Sequence, residues 1–186
     1  MIDALATEAL PPETVVYTHP DFWIAFKPPG LSFHDAAGVP GFVSRFRAFV
    51  GGAPLYPVHR LDRLTSGLIV LARSPEAARG FGELFARGAV EKYYLALSAK
   101  PPAKKQGGVK GVMQKGRGGC WRLTRGVDGP RAITQFFSFA AGGLRVFVVR
   151  PRTGRTHQIR VALKSLGAPI LGDARYGGAP ADRGYL

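Results

Sequence analysis

Three scarcities shape this chain of 186 residues. It has one cysteine, Cys120, which excludes an internal disulfide and any thiolate zinc cluster. It has no apolar run near the roughly 18–20 residues that a membrane span requires, so no membrane partner is expected. Acids are few: 12 Asp+Glu stand against 26 Lys+Arg, a formal net charge of +14. The N-terminal Met1-Ile2-Asp3-Ala4 has no basic segment leading into an apolar stretch, so a signal peptide is not expected and a cytoplasmic location is. What is present fits a soluble, cored protein, 46% hydrophobic. Its length suits one domain, able to bury about two-thirds of its unfolded surface without staples. The cationic excess points to a polyanionic partner, nucleic acid above all.

Periodicity places the elements. Thr14–Tyr17 and Phe22–Phe26 read as strands around the turn residues His19-Pro20-Asp21, a hairpin. Lys27-Pro28-Pro29-Gly30 is a stiff loop. Phe42, Phe46 and Phe49 recur at helical spacing and stop at Gly51-Gly52. Ser74-Pro75-Glu76 opens a second helix, with Ser as N-cap. From Val90 to Ser98 the chain alternates as a strand, with Tyr93, Leu95 and Leu97 expected on the core face and Lys92, Tyr94 and Ala96 on the other. Residues 100–130 form a Gly-, Lys- and Arg-rich ribbon in which Val109, Val112, Met113, Trp121 and Leu123 can still pack. Strands at Ala132–Phe139 and Leu144–Val149 and a last helix after Thr153-Gly154-Arg155-Thr156 complete the order. Without steady βαβ alternation, this is an α+β fold with a mixed, largely antiparallel sheet and flanking helices.

Three constellations carry possible chemistry. Asp62 lies in His59-Arg60-Leu61-Asp62-Arg63-Leu64-Thr65-Ser66-Gly67, between two arginines and ahead of the apolar run Leu68–Ala72. An Asp before Thr and Ser is commonly only a turn former. Cationic neighbours, however, favour the ionised carboxylate that a nucleophile or base requires. His59 can orient this turn. Tyr94 shares a face with Lys92. Most strand tyrosines are half-buried packing, but one facing a cationic cleft can stack on a base, worth about 1–3 kcal/mol. His157, Arg160 and Lys164 fall three and four apart, a basic helix stripe behind a Gly turn suited to phosphate. Phosphate-loop, dinucleotide, zinc-protease and nucleophile-elbow signatures are lacking, and the four histidines show no metal-ligand spacing, so those chemistries lack support.

Taken together these segments resemble the RluA-type pseudouridine synthases. The resemblance is carried by His59-Arg60-Leu61-Asp62 with Thr65-Ser66-Gly67, and by Lys27-Pro28-Pro29-Gly30. Lys92-Tyr93-Tyr94-Leu95-Ala96, Gly154-Arg155-Thr156-His157-Gln158-Ile159-Arg160-Val161 and Pro169-Ile170-Leu171-Gly172-Asp173 follow in the same order. It runs from about residue 14 onward. It implies isomerisation of uridine to pseudouridine in ribosomal or transfer RNA by a cofactor-free monomer with the family's catalytic fold. It also implies roles: Asp62 as catalytic carboxylate, Tyr94 against the target base, Arg160 paired with Asp62, and Arg60 displacing the uridine from its stack. Thr65 and Lys92 are further expected substrate contacts. Lys27, Lys104, Lys105, Arg155, His157 and Lys164 are expected on the RNA. The chain has no room for the S4-type domain of many relatives and stops at Gly184-Tyr185-Leu186, where the family continues. A single catalytic domain over 1–186 is therefore expected, with C-terminal shortening and an unpaired sheet edge as one reading. Two other functions compete: a non-catalytic RNA-binding or ribosome-assembly module on the same fold, and a glycosidase-like enzyme. The latter needs a second acid, for which only Asp35, Glu83, Glu91 and Asp173 stand as candidates.

Overall fold

The computed structural model describes residues 9–186; the reading of Met1–Ala4 lies outside them. The chain forms two compact units, Met1–Ala89 and Val90–Leu186. Each is built around one antiparallel sheet, so the α+β expectation holds.

The first unit contains β1 (Val15–Thr18), β2 (Phe22–Lys27), α1 (Phe42–Phe49), β3 (Tyr56–Pro57), β4 (Gly67–Ala72) and α2 (Pro75–Ala86). Sheet order is β1-β2-β4-β3, which puts the strand following Asp62 inside the sheet. The predicted hairpin is there, with Thr18 opposite Trp23. On β2 the residues Trp23, Ala25 and Lys27 point inward and are buried. Phe42 and Phe46 of α1 close over that face, the Trp23 and Phe46 rings meeting edge-on at 5.9 Å. Helix α2 starts as its sequence dictates: Ser74 Oγ accepts the Ala77 N–H at 3.1 Å, and Pro75 occupies the first turn.

The second unit contains β5 (Tyr94–Ser98), β6 (Gln106–Lys115), β7 (Trp121–Thr124), β8 (Arg131–Ala141), β9 (Leu144–Pro151) and α3 (Gln158–Ser165), with sheet order β5-β9-β8-β6-β7. The 100–130 segment is thus a long β ribbon. It packs as expected, Met113 meeting Cys120, Trp121 and Leu123 in one cluster with Val161 and Tyr176. The edge at β5 is not bare at Leu97, whose N–H donates to Tyr185 O and whose carbonyl accepts from Leu171 N–H.

One face assignment is reversed. Tyr93 and Leu95, expected in the core, are 59% and 68% exposed, whereas Ala96 and Ser98 are fully buried. The inner face of this sheet also carries Thr134, Phe136, Ser138, Phe147 and Val149, all buried. Small side chains on β5 suit it, and the larger apolar ones are left outside. Tyr94 is half-buried on this inner face.

Candidate active site

The Asp62 turn is held from three directions, all within the first unit. Asp62 O accepts the Thr65 N–H at 3.0 Å, and Thr65 is itself buried. Arg63 is bonded twice to Gly30: the Gly30 N–H donates to Arg63 O at 2.8 Å, and Arg63 Nε donates to Gly30 O at 2.8 Å. His59 Nε2 accepts the Val70 N–H at 2.9 Å, tying the start of the turn to β4, while its ring lies 5.0 Å from that of Phe85. The suggestion that His59 orients the turn is thereby given a physical basis. Asp62 is left half-buried and Arg60 exposed at the surface.

Lys27 departs from its expected place on the RNA. It is fully buried at the end of β2. Its ammonium donates to Pro28 O at 2.8 Å, Leu31 O at 2.9 Å and Arg63 O at 3.4 Å. A lysine so enclosed cannot reach a phosphate; it knots the Lys27-Pro28-Pro29-Gly30 loop to the Asp62 turn. Burial lowers its pKa from 10.5 to about 8, and the negative charge of Asp62 works in the opposite direction. Arg60 and Arg63 stand out in the sequence as cationic neighbours of Asp62 but Lys27 does not, because a ring of carbonyls drawn from two loops has no local signature.

The second unit supplies the other candidates. Arg160 on α3 is buried and makes a fork-to-fork pair with Asp173, Nε to Oδ2 at 2.7 Å and Nη2 to Oδ1 at 2.9 Å. Its guanidinium also lies 4.9 Å from the centre of the Tyr176 ring. Tyr176 OH accepts the Trp121 N–H at 2.9 Å and meets His157 Nδ1 at 2.7 Å. The expected basic stripe is thus not one surface. His157 sits before the helix in a left-handed conformation (φ 55°), Arg160 is interior, and only Lys164 is exposed. The turn before α3 is also less open to phosphate than expected. Gln158 Oε1 takes the Arg155 N–H at 3.0 Å and the Thr153 hydroxyl at 2.7 Å, while Gln158 Nε2 anchors to Thr134 Oγ1 at 3.0 Å. Lys92 is half-buried, and burial lowers its pKa. Lys104, Lys105 and Arg155 are exposed.

Three of the four acids that a glycosidase could draw on, Asp35, Glu91 and Asp173, are committed elsewhere. Asp35 Oδ1 accepts the Gly41 N–H at 2.8 Å, and that bond, with a second from Ser44, holds its pKa below the usual value. Glu91 pairs with Arg150, and Asp173 with Arg160.

Residues 21–165 match the family described as RNA pseudouridylate synthase, more than half of the chain. The chain belongs to the RNA pseudouridylate synthase family. Its members are isomerases that act on RNA, so the resemblance read from the motifs is borne out. The chain is 46% identical over 175 residues to an uncharacterized RNA pseudouridine synthase of Haemophilus influenzae, covering 92% of this chain and 78% of that one. It is 34% identical over 171 residues to the ribosomal large subunit pseudouridine synthase C of Rickettsia bellii, covering 89% of this chain and 57% of that one. Among solved structures, the human RNA pseudouridylate synthase domain containing 4 protein superposes with a TM-score of 0.70 at 28% identity, over 87% of this chain and 68% of that one.

Proposed function

We propose that this chain isomerises specific uridines in ribosomal or transfer RNA to pseudouridine, with Asp62 as the catalytic carboxylate. The observation that carries the reading is the bracing of the Asp62 turn. A carboxylate half-open to the surface is fixed by the Thr65 bond, the double Gly30–Arg63 contact and the buried Lys27 beneath it. Such support is what a group that must meet one atom of a substrate requires.

The chemistry asks little else. The N1–C1′ bond of uridine breaks, the uracil turns, C5–C1′ forms, the C5 proton leaves and N1 takes one up. A carboxylate serves at the ribose, either by attack at C1′ or by taking the C2′ proton. The target uridine is flipped out of its stack at a cost of a few kcal/mol. Arg60, exposed beside Asp62, displaces it, and Tyr94 packs on the base, with Thr65, Lys92 and Arg160 as further substrate-binding residues. Phosphate contacts from Lys104, Lys105, Arg155 and Lys164 offset the flipping cost. His157, half-buried against Tyr176, serves from within that network.

RNA carrying 5-³H-uridine tests this, since rearrangement at C5 releases tritium. The wild-type chain releases it; Asp62→Asn binds the same RNA with little change and releases none. Near wild-type release by Asp62→Asn would remove Asp62 from the mechanism. Tight RNA binding with no release by either protein would instead leave a non-catalytic RNA-binding module.

A further inference from the structure

The sheet of the second unit has a second, outward face that is apolar toward β5, where Leu95, Val148 and Phe137 lie in register, and becomes polar and basic toward β6. Cross-strand register sets Gln106 opposite Phe137, Gly108 opposite Gln135 and Lys110 opposite Ile133. These residues, with Arg152, line a groove of about 720 Å³. Its lining carries two cations, two amides and no acid. The floor is low because Gly107 and Gly108 contribute no side chains, and Gly107 holds a φ of 134° that other residues rarely adopt. Along the same face Phe137 and Phe139 are 50% and 43% exposed, their rings 6.1 Å apart. Arg131 lies on that face as well, exposed, and its carbonyl accepts from Arg155 Nε at 3.1 Å.

We infer that this groove is an RNA-docking surface for a single-stranded segment of the substrate other than the target uridine. Tyr94 stands on the opposite, inner face of the same sheet, so the groove is separate from the base contact proposed for it. The assignment rests on charge and shape. An open antiparallel face offering exposed aromatic rings beside cations suits unstacked bases and their phosphates. Lys110 and Arg152 take phosphates, the Phe137 ring takes a base, and Gln106 and Gln135 can meet base edges. The groove holds two cations and no acid in a chain of net charge +14, which favours a polyanion over a protein surface.

The inference rests on the proposal that the chain acts on RNA, and the test separates the two. Binding of a fluorescein-labelled single-stranded oligouridine to the full chain is followed across a salt series. Lys110→Glu combined with Arg152→Glu is expected to weaken binding at least tenfold and to make the salt dependence shallower by about one contact per residue lost. Phe137→Ala is expected to weaken binding about tenfold while leaving the salt slope in place. All three positions are at the surface, and Lys110→Ala with Arg152→Ala repeats the first test without like-charge repulsion. In tritium release the charge variants raise KM about tenfold and leave kcat unaltered. Unchanged affinity, slope and KM would overturn the inference while a wild-type chain that still makes pseudouridine kept the functional reading intact. Altered sedimentation of the Phe137→Ala variant with unchanged RNA affinity would overturn it in favour of a second copy of the chain on this face. A wild-type chain that neither binds oligouridine nor releases tritium would sink both.

Discussion

Gly30 and Arg63 are bound to each other twice, main chain to main chain and side chain to main chain, each at 2.8 Å across 33 residues of sequence. The stiff loop after β2 and the turn bearing Asp62 are thereby one structural piece. Arg63 points its Nε away from a ligand role and into this clamp.

Arg63→Ala should therefore reduce activity more than stability. It removes one exposed hydrogen bond, worth about 1 kcal/mol, and leaves the Gly30 N–H to Arg63 O bond in place. The turn loosens, and a small displacement of a catalytic group can cost about a hundredfold in rate. Urea midpoints beside single-turnover tritium release check it; a stability loss with an unchanged rate would mean that the clamp does not position Asp62.

Lys27 gives the protein a pH dependence with a definite sign. Its pKa is 10.5 in the unfolded chain and about 8 in the fold. Below pH 8 both states hold the proton, and the fold bears the full cost of burying the charge. Between about 8 and 10.5 the unfolded state alone retains it, so stability rises with pH through that window. The rise attributable to this one buried group is about 3 kcal/mol. Urea unfolding of wild type and Lys27→Met at pH 7.5 and 10 isolates it as the difference between them. A wild-type gain no larger than that of the variant would show that Lys27 is not desolvated.

Asp173→Asn should destabilise the second unit by about 3 kcal/mol, because it takes the charged fork from an interior guanidinium. Arg160→Lys should not substitute well, since one ammonium cannot reproduce two parallel bonds. Tyr176→Phe, which keeps the ring against Arg160 and loses only the hydroxyl bonds, should cost about 1 kcal/mol. Thermal or urea unfolding of the three variants gives the ranking; an Asp173→Asn variant as stable as Tyr176→Phe would refute it.

Much of this was legible in the chain because it was local. The phenylalanine spacing gave α1, Ser74-Pro75-Glu76 gave the start of α2, and the turn residues His19-Pro20-Asp21 gave the β1–β2 hairpin. The failures share a cause. Alternation gives β5 two faces but does not say which is the core: Tyr93 and Leu95 read as inward, but what packs on a face is decided by elements far along the chain. Lys27 read as a surface cation because the carbonyls that enclose it come from Pro28, Leu31 and Arg63 together. Arg160 read as part of a stripe because its partner Asp173 lies a further 13 residues on. Asp173 reads from sequence as the end of the Pro169–Asp173 motif and as a candidate second acid, with nothing that joins it to Arg160. A Gly-Asp step after a buried arginine helix is a weak hint of that pairing, not a signature.

The buried amine of Lys27 also couples the sheet to the Asp62 turn. It bonds carbonyls of two loops, Pro28 and Leu31 on one side and Arg63 on the other, and it stands on the end rung of the β2–β4 pairing, Lys27 opposite Gly67, with Phe22 opposite Ala72 at the far end. Local opening of that one rung would draw the amine away from Arg63 and loosen the turn while the rest of the ladder stays paired.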